Sequence, residues 1–282
     1  MSHRRPLAGK TVVVTRPLEQ AASLAEPLEH LGAEVLLAPT IRIEPRPWDD
    51  EVAAVVARLA AYRLVVFTSV NGVRVFLDYL EAPAAQALLG RPSGASPSLP
   101  AGVTVAAVGP ATASALEQRG VACDVVPDEF VAEGLLAALE RDGAARAGTR
   151  VLIPAARRAR AVLPEALRAQ GADVDVLAVY DTVAAESLDI SVARLCGADF
   201  ITFTSGSTAR ELATLVRDAL VAEGATGATR SLAALFEEVR LCSIGPATSA
   251  VLRELGLPVA VEAPEHTAAG LVVAIADSVR LA

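Results

Sequence analysis

The chain has 282 residues, of which 53% are hydrophobic and 4% aromatic, and its formal net charge is −8. The negative charge and the scarcity of aromatic side chains argue against a general binder of nucleic acid or of anionic membranes, and arginines interrupt the long apolar runs, which argues against a membrane span of about 20 residues. The length predicts two domains of about 100–150 residues each. Three cysteines without CxxC spacing and a start without an apolar leader predict a cytoplasmic protein.

Short β-branched runs alternate along the chain with amphipathic stretches that often end in glycine. Most of the runs are continuously apolar, which is typical of parallel strands covered by helices on both faces. This alternation predicts a doubly wound α/β architecture. The stretch 82–102 is rich in Pro, Ser and Gly and predicts a loop. The ten predicted strands begin at Thr11, Glu34, Leu64, Thr104, Ala122, Arg150, Asp173, Phe200, Arg240 and Val259.

Several landmarks occur twice at nearly constant spacing. Phe-Thr-Ser at 67–69 recurs at 203–205, and Gly-Pro-Ala-Thr at 109–112 recurs at 245–248, so the two pairs share one offset. Gly-Ala-acidic-Val at 32–35 recurs at 171–174, at a slightly longer offset. Several ordered landmarks at nearly one spacing indicate a duplicated unit.

The order of the repeated parts predicts how the domains are built. We predict two doubly wound parallel-sheet domains of the flavodoxin-like kind, one discontinuous domain at 1–38 and 184–282 and a second at 46–177. The chain would cross between them twice, at 39–45 and 178–183, and both segments look extended. Paired side by side, they would form a short two-stranded β connector with a mobile cleft between the domains.

Hydroxyl and glycine residues follow the predicted strands at their carboxyl ends, where doubly wound sheets bind ligands. Helix N-termini attract anions there, and Arg16 can add a charge-assisted bond to a carboxylate. Each hydroxyl can instead be a helix cap only, but its recurrence in both repeats favours a binding role. Arg157, Arg158 and Arg160 follow the strand predicted from Arg150, where they either bind anions or merely begin a helix in solvent.

Motifs for nucleotide, metal and serine-hydrolase chemistry are missing from the sequence, namely GxGxxG, GxxxxGK[ST], HExxH and GxSxG. The histidines lie far apart in the chain, and no pair of carboxylates stands in the turns. We therefore expect no cofactor, no metal and no covalent intermediate. Any chemistry would rest on orientation and electrostatics.

Four stretches in this order resemble the uroporphyrinogen-III synthase family: FTSVNGV, VGPATASALEQRGV, AVYDTV and TFTSGS followed by IGPATSAVLRELGLPV. The resemblance covers nearly the whole chain and implies two α/β lobes joined by a two-stranded ladder. It also implies a cofactor-independent lyase of tetrapyrrole and heme biosynthesis. Such an enzyme closes linear hydroxymethylbilane, which carries eight carboxylates, to uroporphyrinogen III. Water is lost, and ring D is inverted through a spiro intermediate in the inter-domain cleft.

Carried over position by position, the resemblance implies that Tyr180 assists departure of the hydroxyl group as a hydrogen-bond or proton donor. The alternative is that Tyr180 only packs the connector. Two positions depart from the family pattern, since Ala156 stands where a glycine is common and Val70 where a basic residue is common. The expected substrate-binding residues are Arg16, Thr68, Ser69, Asn71, Gly109, Thr112, Arg160, Ser205, Ser207, Gly245 and Thr248.

Two other functions stay open at this point. One is a two-lobe small-molecule binding protein, although that class would favour a secretory signal. The other is a catalytically inactive regulatory relative that senses a tetrapyrrole or another polyanion, which the departure at Ala156 leaves open. We expect a monomer with a small-molecule substrate, without nucleic-acid or membrane partners, and with at most transient contacts to neighbouring pathway enzymes.

Overall fold

The computed structural model describes residues 5–222 and 231–280. Its contacts divide the chain into two compact units. The first unit comprises Met1–Arg42 and Val183–Ala282, and the second unit comprises Ile43–Thr182. The chain therefore leaves the first unit at Arg42 and returns to it at Val183.

Ten strands form two five-stranded sheets within the described residues. In chain order they are β1 (Thr11–Val14), β2 (Glu34–Leu37), β3 (Ile41–Pro45), β4 (Leu64–Phe67), β5 (Thr104–Ala107), β6 (Arg150–Ala156), β7 (Asp173–Ala184), β8 (Phe200–Phe203), β9 (Arg240–Ser243) and β10 (Val261–Glu262). The first sheet has the order β10-β9-β8-β1-β2, and the second has the order β3-β7-β6-β4-β5.

Twelve α-helices are described, with a short 3-10 helix at Leu59–Ala61. They are α1 (Leu18–His30), α2 (Asp50–Ala57), α3 (Val70–Glu81), α4 (Pro83–Leu88), α5 (Pro110–Gln118), α6 (Ala132–Arg141), α7 (Val162–Ala169), α8 (Val192–Cys196), α9 (Gly206–Ala222), α10 (Leu232–Leu235), α11 (Pro246–Glu254) and α12 (Ala268–Arg280). Within 5–222 and 231–280, no helix has the length and apolar character needed to cross a membrane.

The two sheets share one register at the spacing predicted from the repeats. Thr11 of β1 lies opposite Glu34 of β2, and their counterparts at the longer offset, Arg150 and Asp173, lie opposite each other in β6 and β7. Likewise, the residue-by-residue pairing of β4 with β5 recurs between β8 and β9 at the shorter offset. All these pairs are parallel. The strands of the first unit therefore follow the 2-1-3-4-5 order of flavodoxin-like sheets.

Local sequence signals explain where the helices begin and end. The Ser69 hydroxyl accepts a hydrogen bond from the Gly72 N–H at 3.0 Å and caps α3. The glycine that closes α1, Gly32, has φ 96°, a left-handed conformation that a side chain would strain. On both faces of each sheet, continuous rows of Val, Leu, Ile and Phe pack against these helices and form the core.

The strand predicted from Ala122 is wrong. The segment makes only an isolated bridge between Ala106 and Val125. The Asp124 carboxylate accepts the Val105 N–H at 2.8 Å, so a side chain takes a donor that a longer ladder would use. The equivalent strand of the first sheet, β10, has two residues.

Two further sequence predictions need correction. The stretch 82–102 begins with helix α4, with Pro83 in its first turn. Gln86, 2% exposed, then ties the following loop by bonds to the Ala95 carbonyl and the Gly94 N–H. The second crossing segment is not separate from its preceding strand, because β7 runs unbroken for 12 residues. β3 lies beside β7, and the Arg46 N–H donates to the Val179 carbonyl at 2.9 Å.

Candidate active site

A cavity of about 530 Å³ lies at the carboxyl end of the second unit's sheet. This is the edge where doubly wound folds bind ligands, and the volume falls in the range of about 300–1,000 Å³ common for small-molecule sites. The turns after β4, β5 and β6, the start of α6 and the strand β7 all contribute side chains. The polar and aromatic lining residues are Thr68, Ser69, Phe130, Glu133, Arg158, Arg160 and Tyr180.

A hydroxyl pair stands in the wall of this cavity. The Tyr180 phenol oxygen lies 3.0 Å from the Ser69 Oγ, and either group can donate the bond. Because the Ser69 Oγ already accepts the Gly72 N–H, its own proton can point to Tyr180. The Tyr180 hydroxyl proton is then free for a ligand in the cavity. Tyr180 is only 6% exposed, so the surrounding protein holds the phenol in place.

The position of Tyr180 depends on an irregularity in the sheet. The β6–β7 register shifts between Ala155 and Ala156, so that Ala156 lies opposite Tyr180. The Arg157 N–H donates to the Tyr180 carbonyl at 2.9 Å. Such a bulge re-aims the side chains that follow it. Ala156 itself lines the cavity and leaves space beside the phenol.

The arginines after β6 differ in their partners. Arg157 donates from Nε to both carboxylate oxygens of Asp181, at 3.0 and 3.1 Å. Arg158 and Arg160 line the cavity, and their guanidinium groups bond no side chain in the described part of the chain. Two unpaired cations beside an apolar wall favour an anionic ligand with an apolar body.

Three predicted binding residues of the second unit lie outside the cavity lining. Thr112 is 5% exposed in the first turn of α5, where its N–H donates to the Gly109 carbonyl at 3.1 Å. Gly109 precedes that helix and is buried, with its carbonyl also accepting the Ala113 N–H. Asn71 lies half-buried in the first turn of α3. These residues belong to helix starts at the same sheet edge.

The first unit carries its own set of predicted residues at the carboxyl ends of β8 and β9. The hydroxyls of Ser205 and Ser207 lie 2.8 Å apart, and the Thr208 N–H donates to the Ser205 Oγ at 3.3 Å. Gly245 precedes α11, and Thr248 is 5% exposed in that helix's first turn. This unit therefore presents hydroxyls and helix N–H groups at this edge.

Arg16 follows β1 and turns back onto α1. Its Nη1 donates to the Ser23 Oγ at 2.6 Å, and its Nη2 donates to the Gln20 Oε1 at 2.8 Å. The Nε atom is buried and has no hydrogen-bond partner within the described residues. Burial lowers the pKa of Arg16 below its ordinary value. Since both of these acceptors are neutral, a ligand carboxylate would compensate this charge better than they do.

Sequence reasoning missed part of the cavity. Phe130 comes from the segment between β5 and α6, and Glu133 comes from the first turn of α6. Neither stretch carries a recognised motif, and the structure brings both residues beside the turn after β6. A signal for Phe130 exists in the repeat, because His266 stands at the equivalent position of the second copy. Among the described residues, no group of three or more His, Cys, Asp or Glu is arranged to hold a metal ion.

The fold and the site define a class of protein. Parallel sheets covered by helices, with hydroxyls, arginines and a phenol at a sheet's carboxyl end, are typical of α/β proteins that bind or convert small molecules. A family model described as "Uroporphyrinogen-III synthase HemD" matches residues 22–273. The chain belongs to the uroporphyrinogen-III synthase family, cyclising lyases of tetrapyrrole synthesis that need no cofactor.

Full-length relatives agree with this assignment. The chain is 32% identical over 279 residues to "Uroporphyrinogen-III synthase" of Synechococcus elongatus, covering 96% of each chain. It is 31% identical over 274 residues to "Putative uroporphyrinogen-III synthase" of Methanothermobacter thermautotrophicus, covering 95% of this chain and 98% of the relative.

Solved structures show the same fold. The chain resembles a mutant uroporphyrinogen III synthase of Thermus thermophilus with a TM-score of 0.58 and 20% identity, covering 97% of this chain and 100% of the other. It resembles uroporphyrinogen-III synthetase of Helicobacter pylori with a TM-score of 0.58 and 16% identity, covering 94% and 97%. At these identities the likeness concerns the fold, and it confirms the predicted α/β class with parallel sheets.

Proposed function

We propose that this protein closes hydroxymethylbilane to uroporphyrinogen III and that Tyr180 assists loss of the terminal hydroxyl group. The observation that carries the assignment of this residue is the Tyr180–Ser69 pair in the wall of a cavity that also holds two unpaired arginines. The family membership and the full-length relatives support the reaction. Tyr180 also packs in the core of the second unit, but packing alone does not account for the bond between its hydroxyl and Ser69 in the lining of this cavity.

The first step breaks the carbon–oxygen bond of the hydroxymethyl group. The bonding electrons leave with the oxygen, which takes a proton from the Tyr180 phenol and departs as water, and the carbon remains as an azafulvene cation. A positioned proton donor of this kind contributes about 10²–10⁴-fold in typical enzymes. The Ser69 hydroxyl then donates to the developing phenolate, because its other bond is already fixed by the Gly72 N–H.

The second step forms a carbon–carbon bond between this cation and ring D at the carbon that already bears a substituent. In the spiro intermediate the older bond between this carbon and the methylene bridge to ring C breaks, the bridge carbon bonds instead to the unsubstituted α-carbon of ring D, and loss of the proton from that carbon restores the pyrrole. That proton can return to the Tyr180 phenolate, so that water is the only net product besides uroporphyrinogen III. The protein's contribution is to orient the two ends of the chain.

The eight carboxylates of the substrate need many donors. In the second unit, Arg158 and Arg160 supply unpaired charge, while Thr68 and the helix starts at Asn71, Gly109 and Thr112 supply neutral donors. In the first unit we assign the same task to Ser205, Ser207, Gly245, Thr248 and Arg16. The buried, unpaired Nε of Arg16 supports this assignment.

We further propose that the two compact units are separate domains and that the chain crosses between them along β3 and β7. The boundary between the units after Arg42 lies within β3, and the boundary after Thr182 lies within β7. A cytoplasmic location is supported by three free cysteines at positions 123, 196 and 242, since reducing compartments keep thiols free. A monomer with only transient contacts to neighbouring enzymes stays a prediction, which light scattering after size-exclusion chromatography checks.

The experiment that tests the function supplies the purified protein with freshly made hydroxymethylbilane, oxidises the products and separates the porphyrin isomers. We expect isomer III, at a rate above the spontaneous closure to isomer I. Isomer I alone would show that the protein is a binding or regulatory relative. A boiled sample and a sample without protein give the spontaneous rate.

A further inference from the structure

One phenylalanine of the cavity is placed unlike the others. The chain has six phenylalanines, and five are at most 1% exposed, whereas Phe130 is 55% exposed at the cavity rim. Full burial of such a side chain stabilises a fold by about 1.5–3 kcal/mol. The fold does not use Phe130 in this way, so its ring is available to a ligand.

The first unit has a flat ring at the equivalent position. The spacing from Phe130 to His266 is the same as the spacing from Gly109 to Gly245. A Cβ placed on Gly109 would lie 3.4 Å from the Phe130 Cβ, and one placed on Gly245 would lie 2.8 Å from the His266 Cδ2. In each unit, then, a ring lies against the glycine that precedes a helix, and His266 is exposed as well.

The backbone holds both rings in the same way. The Val131 N–H donates to the Glu129 carbonyl at 2.8 Å, and the Thr267 N–H donates to the Glu265 carbonyl at 2.7 Å. A glycine follows in each helix, Gly134 or Gly270, and a Cβ there would lie 2.2 Å from the same carbonyl oxygen. These glycines therefore allow a tight turn that fixes the ring before it. Both copies of the repeat therefore place a ring at this position with the same backbone arrangement.

We propose that Phe130 is a stacking platform for one pyrrole ring of the linear substrate. This inference rests on the proposed function. Offset stacking of aromatic faces contributes about 0.5–1.5 kcal/mol beyond the buried area. Four pyrroles share eight carboxylates, so each ring carries two, and the cavity beside Phe130 holds two unpaired arginines, Arg158 and Arg160.

The two equivalent rings differ in chemistry. Phe130 offers an apolar face only, whereas His266 offers a face together with ring nitrogens that can bond a carboxylate or a pyrrole N–H. The phenyl platform lies in the cavity that contains Tyr180. We therefore assign Phe130 to the pyrrole at the reacting end of the substrate.

The test compares variants that keep or remove the flat face. Phe130→Leu keeps apolar volume and removes the ring, Phe130→Tyr keeps the ring, and Val273→Ala removes another exposed apolar side chain, 57% exposed on α12. Steady-state KM and kcat for hydroxymethylbilane and the ratio of isomers III and I are measured for each. Thermal unfolding should be unchanged in all three, because both positions are exposed.

We expect Phe130→Leu to raise KM by about 2- to 10-fold and to increase the fraction of isomer I. We expect Phe130→Tyr and Val273→Ala to have the KM and the isomer ratio of the wild type. The inference fails if Phe130→Leu has the same KM and isomer ratio as Val273→Ala. It also fails if Phe130→Tyr raises KM as much as Phe130→Leu does. If the wild type itself forms no isomer III, the proposed function fails instead.

Discussion

The two units share strand order and register but differ in what stands at the carboxyl ends of their strands. At the longer repeat offset, the position equivalent to Tyr180 is Ile41, so the first copy has no phenol at this place. Conversely, Arg16 of the first unit corresponds to Ala155 in the wall of the second unit's cavity. The two copies thus share strand order and register, while the residues that follow their strands differ. We propose that the second unit carries the chemistry and that the first unit holds the substrate.

Replacing the phenol should give the largest effect. We predict that Tyr180→Phe lowers kcat by about 10- to 100-fold, at or below the lower end of the range for a positioned proton donor, with little change in KM, because only the proton donor is lost. Steady-state kinetics with isomer analysis checks this. Ile41→Val at the equivalent place of the first unit serves as control and should leave kcat within about twofold. An unchanged rate in Tyr180→Phe would remove its catalytic role.

The unpaired arginines should give the next largest effect. Charge-assisted hydrogen bonds contribute about 1.5–3 kcal/mol each when well formed, and solvent exposure reduces this here. We predict that the double substitution Arg158→Gln with Arg160→Gln raises KM about tenfold, and that added salt weakens substrate binding less than in the wild type. Arg194→Gln, which breaks an exposed ion pair with Glu34 in the first unit, is the control. Equal KM values in both variants would show that the two arginines do not bind substrate.

The two cap serines allow a sharper comparison, because Ser69 and Ser205 are equivalent and both accept a helix N–H bond. Removing either hydroxyl should cost about 0.5–2 kcal/mol of unfolding free energy. Only Ser69→Ala should also lower kcat, by about 2- to 10-fold, since only Ser69 contacts Tyr180. Denaturant unfolding and kinetics on the same preparations measure both quantities. A kcat loss of the same size in Ser205→Ala would contradict a special role for Ser69.

Much of the fold could be predicted because its strands are short apolar runs bounded by turn residues. The starts predicted at Leu64 and Phe200 are the observed starts of β4 and β8. The missing strand at Ala122 could not be predicted, because it depends on the Asp124 side chain taking a backbone donor in β5. Pattern alone does not show which partner such a side chain chooses.

The sequence predicts which residue types form the site, but it does not predict which of their side chains contact one another. Ser69 and Tyr180 were both candidates, but their 3.0 Å contact depends on the strand order and on the shift in β6. The three arginines after β6 look alike in sequence, and only the proximity of Asp181 to Arg157 separates them. Helix or strand periodicity does not indicate Phe130, because it is an isolated aromatic residue in a loop, and only its repeat counterpart His266 marks the position.

The smallest expected effect lies at the opposite edge of the first unit's sheet. Burial works against ionisation of Asp199, but hydrogen bonds from the Lys10 side chain and the Thr11 N–H lower its pKa below the ordinary value. The stabilisation is therefore present above the unfolded-state pKa of about 3.9 and disappears as pH falls through the lower folded-state value.

We predict that Asp199→Asn costs less than about 1 kcal/mol at neutral pH, as partly exposed ion pairs do. The cost should vanish in strong acid, and kcat should be unchanged. Urea unfolding at several pH values checks this. A cost that is constant with pH would show that the charge plays no part.

The division of labour between the units is tested most directly by single-turnover closure, with the enzyme in excess over hydroxymethylbilane and at a concentration that binds all of it. Saturation removes differences in substrate affinity, so the rate constant for formation of isomer III reports the chemical step alone. We predict a loss of about 10- to 100-fold for Tyr180→Phe and a change within about twofold for Arg16→Gln, whose defect should appear only in KM. Equal losses of the single-turnover rate in both variants would contradict the assignment of chemistry to the second unit.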